Sequence, residues 1–146
     1  MNDIKKKYID IFFGSLTEEE KSNIYFDEYM WHAYSYKKLK TLEGCKAIED
    51  FKKCDQNGVY ILFQDNDEVI EKESINFDEI VGNMENEEVW NRSDCYIIDK
   101  NFKWAFIYTH ETYYNENEII NPNSKHNIYY IGPFFAINNR SNGKKK

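Results

Sequence analysis

Glycine and proline are scarce, with 6 and 2 copies in 146 residues. So few glycines leave no phosphate cradle: neither G-x-G-x-x-G nor G-x-x-x-x-G-K-[ST] occurs, which excludes nucleotide binding by those devices. Arginine is limited to Arg92 and Arg140, and the Lys144-Lys145-Lys146 run closes a chain of net charge −7, so nucleic acid is not an expected partner. The three cysteines, Cys45, Cys54 and Cys95, are odd in number and form no C-x-x-C pair. They predict neither a disulfide framework nor a zinc knuckle, and read as reduced, mostly buried thiols. No run approaches the roughly 18 apolar residues a membrane span requires, and an N-terminus with Asp3, Asp10 and three lysines is too polar for a secretory signal. These absences predict a cytoplasmic protein with no membrane partner and no cofactor.

What is present is aromatic. Rings make up 17% of the chain, chiefly 12 Tyr and 10 Phe, so the core is expected to be built on them rather than on leucine. The length suits one domain able to bury a core without disulfides or metals. We place that domain at residues 1–137 and a flexible basic tail at 138–146. The acid is concentrated in the middle: residues 55–99 hold two basic and thirteen acidic groups, whereas residues 1–54 hold ten of each. Such a segment keeps a tyrosine-rich domain soluble and steers basic partners toward it. Asp65, Asp67, Glu68, Glu85, Glu87 and Glu88 are its candidate partner-binding acids.

Periodicity predicts an α+β domain with a mainly antiparallel sheet of four or five strands and about three helices on one face. Ile4, Tyr8, Ile11 and Phe12 make a helical stripe over residues 3–13, and Thr17 with Glu20 is a capping box for a short helix to about Asn23. Leu42, Cys45, Ile48 and Phe51 predict a helix over 42–53; Phe77, Ile80, Val81 and Met84, capped by Asn76 with Glu79, predict another over 76–84. Strands are expected at 29–36, 59–63, 95–99, 102–110 and 128–131, with Val69-Ile70 as a brief edge pairing. The stretch 29–36 fits either period, and its aromatic density favours a strand. Thr112 to Asn127 reads as a long exposed loop.

The clearest pattern runs from Asp94 to Glu111. Tyr96, Ile97 and Ile98 form an apolar run, Asp99-Lys100-Asn101 a polar break, and Phe102, Trp104, Phe106, Tyr108 and His110 then recur at period two, which is a β-hairpin. Its ending, Thr109-His110-Glu111, is polar where the face is apolar. A metal site built from His32, His110 and Glu111 lacks the H-x-H or H-E-x-x-H spacings, and none is expected. Adjacent residues on a strand point to opposite faces, which argues against a direct His110–Glu111 pair. The hairpin brings Cys95 near His110, but nothing around Cys95 supplies an oxyanion site or a helix N-terminus to activate the thiol.

The strings WHAYSY (Trp31 to Tyr36), LEG (Leu42 to Gly44), DKNFKWAFIYTHE (Asp99 to Glu111) and GPFF (Gly132 to Phe135) occur in this order. Together they resemble a family of small bacterial proteins of unknown function that share W-H-x-[FY]-S-[YW], F-x-W-x-[FY]-x-x-T-H-E and G-P-[FY]-F motifs. The resemblance spans residues 29–135, with Thr112 to Asn127 as an insertion. It implies a small cytoplasmic single-domain protein, supplies no activity or cofactor, and marks Trp31, His32, Trp104, Thr109, His110, Glu111 and Gly132-Pro133 as positions to test.

Two functions are therefore expected to compete. The leading one is a non-enzymatic protein-binding domain, of the immunity or antitoxin kind, that neutralises a basic effector through acidic groups and aromatic anchors. The alternative is an enzyme or small-molecule binder with a pocket lined by Trp31, His32, Trp104, Tyr108 and His110. In it His110 is the acid/base group, with Glu111 and His32 beside it.

Overall fold

Strand alternation divides the interior in two. The computed structural model describes residues 2–112 and 132–138. Its elements are α1 (Asp3–Phe13), α2 (Glu18–Asn23), α3 (His32–Ser35), β1 (Leu42–Glu43), α4 (Cys45–Lys53), β2 (Val59–Phe63), β3 (Val69–Lys72), α5 (Phe77–Glu85), β4 (Cys95–Asp99), β5 (Trp104–Tyr108) and β6 (Phe134–Ile137). The strands form one sheet in the order β1-β6-β5-β4-β2-β3, and every pairing is antiparallel. Successive side chains of a strand point to opposite faces. Accordingly Ile61, Phe63, Cys95, Ile97, Trp104, Phe106 and Tyr108 join one apolar cluster, and Leu62, Tyr96, Ile98, Ala105 and Ile107 join the other.

Helices α4 and α5 cover the first face through Ala47, Ile48, Phe51, Phe77, Ile80 and Met84. Helix α1 and the segment from Leu16 to Tyr34 cover the second through Tyr8, Phe13, Ile24, Phe26, Trp31 and Tyr34. The α+β class and antiparallel sheet are as expected. The helices, however, lie on both faces rather than one, because β4 and β5 are buried at every residue and such strands need cover on each side. The sheet also has six strands, since Leu42–Glu43 pairs with Phe134–Phe135 at one edge and Val69–Lys72 pairs with β2 at the other. Helix α4 therefore begins at Cys45, after a left-handed Gly44 turns the chain out of β1. The strand expected at 128–131 and most of the expected 112–127 loop lie outside the described residues. Asn138, expected to begin a loose tail, donates its backbone N–H to Lys103 and its side-chain amide to Phe102.

Capping was legible. Thr17 with Glu20 and Asn76 with Glu79 both form reciprocal capping boxes at the helix starts read from the sequence. The segment 29–36 is the principal correction. It forms a turn that winds into the short helix α3 (His32–Ser35), with Ser35 N–H bonded to Trp31 O and Tyr36 N–H to His32 O. Met30, Trp31, Ala33 and Tyr34 are buried, while Tyr29 and Tyr36 are exposed. That is a three-to-four-residue period, hidden because aromatics occupy both sides of it. The helix ends in a Schellman motif, with Lys38 N–H on Ala33 O, Lys37 N–H on Tyr34 O, and Lys37 in the left-handed region at φ 60°. A lysine there is strained where glycine is not, so Lys37→Gly should raise stability by about 0.5–1 kcal/mol in urea unfolding.

Candidate functional site

Register brings the polar ends of three strands together. Phe63 of β2 pairs with Cys95 of β4, and Cys95 with Tyr108 of β5, so Gln64, Asp94 and Thr109-His110 emerge side by side at one end of the sheet. Thr109 ends β5 by forming a turn: Thr112 N–H donates to Thr109 O, Thr109 N–H to Thr112 Oγ1, and Glu111 N–H to Thr109 Oγ1. The turn removes His110 from the strand alternation. Instead of joining Trp104, Phe106 and Tyr108, the His110 ring lies against Trp31 and Tyr29, with centroids 6.0 and 5.9 Å away. Phe102 leaves that face as well, because it is left-handed (φ 58°) in the hairpin turn, and it packs with the α1 side. Gly132, where the described chain resumes, sits against this turn; a Cβ on it would lie 2.9 Å from Thr112 Oγ1, and its φ of +86° also favours glycine.

Asp94 is the centre of the site. Its side chain is 5% exposed, and its carboxylate takes three N–H donors. Oδ1 accepts from the His110 backbone N–H at 2.6 Å and from His110 Nδ1 at 2.7 Å; Oδ2 accepts from Trp31 Nε1 at 2.8 Å. A buried carboxylate is tolerable only when its lone pairs are filled in this way. An ionised carboxylate can only accept, so His110 Nδ1 carries hydrogen and Nε2 is left as the basic nitrogen. Nε2 lies 3.5 Å from Glu111 Oε2, a direct pairing that a straight strand would have forbidden and the turn allows. Arg92 closes the other side, donating Nη2 to His110 O and Nη1 to Glu85.

Gln64 ties the helical segment to the same end. Its Oε1 accepts from Met30 N–H and from the Tyr96 hydroxyl, its Nε2 donates to Asp27 O, and its backbone N–H donates to Asp94 O. Beneath the β2–β3 turn, the Lys5 ammonium donates to the carbonyls of Phe63 and Asn66 at 2.6 and 2.8 Å. Burial draws its pKa below the ordinary value, against the opposing pull of Asp67 and Asp65.

His32 joins the same surface by ring contact. Its Nδ1 meets Ile24 O at 2.6 Å, and its ring lies 4.8 Å from Tyr29 and 4.8 Å from Tyr36, tilted by 33° and 31°. The sequence Tyr36, His32, Tyr29, His110 is thus a ladder of neighbouring rings, backed by Trp31. Trp104 and Tyr108 are elsewhere: both are buried on the α4/α5 face and do not meet the histidines. Cys95 is fully buried, and desolvation together with Asp94 pushes its thiol well above the ordinary range, so it offers no thiolate to His110. An open groove of about 500 Å³ between α4 and α5, lined by Lys52, Asp55, Gln56 and Glu79 among others, contains none of the candidate residues.

The candidate acids lie on the segments that leave this end of the sheet. Asp65, Asp67 and Glu68 occupy the turn after β2; Glu85 ends α5 and is tied by Arg92 to His110, and Glu87 and Glu88 lie in the turn after the helix. All six are exposed, as are Asp27, Glu28 and Glu111. Among the described residues, no group of three His, Cys, Asp or Glu side chains is arranged to hold a metal, and no helix is long and apolar enough to cross a membrane.

A family model described as a domain of unknown function (DUF4275) matches residues 2–117. The matched span takes in Trp31–Tyr36, Gln64, Asp94 and Thr109–Glu111, and stops before Gly132–Phe135. No curated protein and no solved structure matches the chain.

Proposed function

The chain belongs to the DUF4275 family, whose description assigns no activity, and from the site itself we propose that it is a protein-binding domain for a basic partner, of the immunity or antitoxin kind. The observation that carries this reading is the placement of an exposed ring ladder and nine carboxylates at one end of the sheet. Tyr25, Tyr29 and Tyr36 are exposed large rings on the segment that Gln64 and Asp94 hold in place. The carboxylates are Asp27, Glu28, Asp65, Asp67, Glu68, Glu85, Glu87, Glu88 and Glu111. Two cations near the site are engaged, Arg92 with Glu85 and Lys5 turned inward onto carbonyls, while Lys37 beside Tyr36 pairs with Glu43. Aromatic side chains on a rigid support lose little entropy on binding, and the surrounding acid speeds encounter with a basic surface.

One observation favours the alternative. A buried carboxylate that orients a half-exposed imidazole, as Asp94 does His110, is the arrangement a general base requires. Cys95, the thiol nearest this pair in the hairpin, is buried and protonated, and the described rings are packed on one another instead of opening between them.

Affinity capture from the native host with the full chain tests the proposal. A stoichiometric basic protein should be retained by the wild type. Retention should fall at least about tenfold with Glu68→Lys/Glu87→Lys/Glu88→Lys or with Tyr29→Ala, the magnitude of one hot spot or of several like-charge contacts. Recovery of no such protein, or equal recovery by the charge-reversed chain, overturns the reading.

A further inference from the structure

We propose that the charge state of His32 and His110 regulates the binding face, so that protonation weakens its hold on a basic partner. This inference rests on the reading of that face as the dock of such a partner, and on the fact that the two imidazoles flank a single ring. Tyr29 lies 4.8 Å from His32 and 5.9 Å from His110. Each histidine has Nδ1 engaged by a fixed oxygen, His32 on Ile24 O and His110 on Asp94 Oδ1. The nitrogen that gains or loses a proton is therefore Nε2 in both. Imidazole is the side chain suited to such a change between about pH 5 and 8.

The groups around each ring set the direction. His110 faces Asp94 from the start of β4, Glu111 from its own turn, and Tyr29 and Trp31 from the helical segment; the guanidinium of Arg92 is bonded to the His110 carbonyl and to Glu85. His32 faces Tyr29, Trp31 and Tyr36 on its own segment and the carbonyl of Ile24 at the end of α2. Asp27 and Glu28 precede Tyr29 in that segment.

A proton on His110 Nε2 turns it from an acceptor into a donor 3.5 Å from Glu111. His110 then bridges two carboxylates, and Glu111 is drawn away from any partner. A proton on His32 places a positive charge between Tyr29 and Tyr36, in the middle of the ladder. Both changes subtract negative charge from the surface that attracts a basic partner, and both add a like charge where its cations must approach. Linkage requires the converse: a bound cationic partner displaces protons from the two rings.

The test uses the full chain and an N-acetylated, C-amidated hexa-arginine peptide, whose blocked termini leave only guanidinium groups and so a charge that does not change with pH in this range. Calorimetric titration at about pH 8 and about pH 6, at one ionic strength, should show binding weaker by roughly fivefold at the lower pH, the effect of two exposed like charges. In His32→Gln/His110→Gln the difference should fall below about twofold. That double variant retains His126, which lies outside the described residues, and so separates its contribution. Because His110→Gln alters a partner of Asp94, ring-proton NMR of the wild type supplies a second readout: saturating peptide should move the His32 and His110 titration midpoints to lower pH. Peptide binding that is equal at both pH values, midpoints that do not move, or a pH difference that survives in a folded double variant each overturns the inference while leaving the docking proposal standing. Absence of peptide binding at both pH values overturns both.

Discussion

Asp94→Ala should lower the free energy of unfolding by about 3–5 kcal/mol, the usual cost of breaking a buried, fully paired charge site. The substitution leaves three N–H donors without an acceptor. Trp31 is 1% exposed, so its indole N–H cannot recover the loss in water. The His110 ring, half-exposed, recovers part of its own. Asp94→Asn should cost roughly half as much, because the amide oxygen still accepts from His110, whereas the amide N–H now confronts the Trp31 N–H. Trp31→Phe removes that second donor. Its combination with Asp94→Asn should therefore destabilise less than the sum of the two single changes, by on the order of 1 kcal/mol. Urea unfolding with an unchanged m-value measures all four. A cost below about 1 kcal/mol for Asp94→Ala would mean that the carboxylate does not anchor the site.

Asp94 is also where sequence reasoning fell short, and the reason is instructive. The hairpin was legible because Tyr96–Ile98 and Trp104–Tyr108 carry the period and the Asp99-Lys100-Asn101 break fixes the turn. Helix α1 was legible from its stripe of Ile4, Tyr8, Ile11 and Phe12, and α2 and α5 because their caps are local: Asn76 and Glu79 identify each other across three residues. Nothing local identifies a partner for Asp94. It meets His110 because β4 and β5 are antiparallel, and Trp31 because Gln64 holds a helical segment over the strand ends. A signal did exist. Gln64 directly follows the apolar run Val59–Phe63, and Asp94 directly precedes the apolar run from Cys95. Polar residues abutting buried strands are forced to find partners at the sheet's end.

The segment 29–36 was misread for a related reason. Its rings serve two purposes, core for Trp31 and Tyr34 and surface for Tyr29 and Tyr36, and composition does not distinguish them. The same mistake placed Trp104 and Tyr108 with the histidines. Period two kept Trp104, Phe106 and Tyr108 on one face, but the left-handed Phe102 and the Thr109–Thr112 turn break the period at both ends of β5. His110 therefore points to the face opposite the strand residues it was grouped with. The polar ending that packing left unexplained becomes three roles: Thr109 makes the turn, His110 caps Asp94, and Glu111 meets the free nitrogen of His110.

If the hairpin is a spine and its end a site, the two should separate under mutation. Phe106→Ala should cost about 3–5 kcal/mol, as much as Asp94→Ala, through lost transfer free energy and the cavity left behind. Phe106 is fully buried; its ring stacks on Phe51 at 4.2 Å and 17° and meets Phe77 edge-on at 6.1 Å, and its Cα pairs with that of Ile97 across the hairpin. All of these contacts are on the α4/α5 face, with the sheet between them and the ladder. Phe106→Leu, which keeps more of the volume and should cost about 1–1.5 kcal/mol, leaves a folded population large enough to measure binding. That population should hold the basic partner or hexa-arginine with wild-type affinity. Asp94→Asn, at comparable residual stability, should bind more weakly, because Trp31 and His110 lose the anchor that orders the rings. Equal losses from the two substitutions would show that binding follows global stability rather than the order of the ring ladder, and would remove the ground for assigning the Asp94 end of the sheet a function apart from the core.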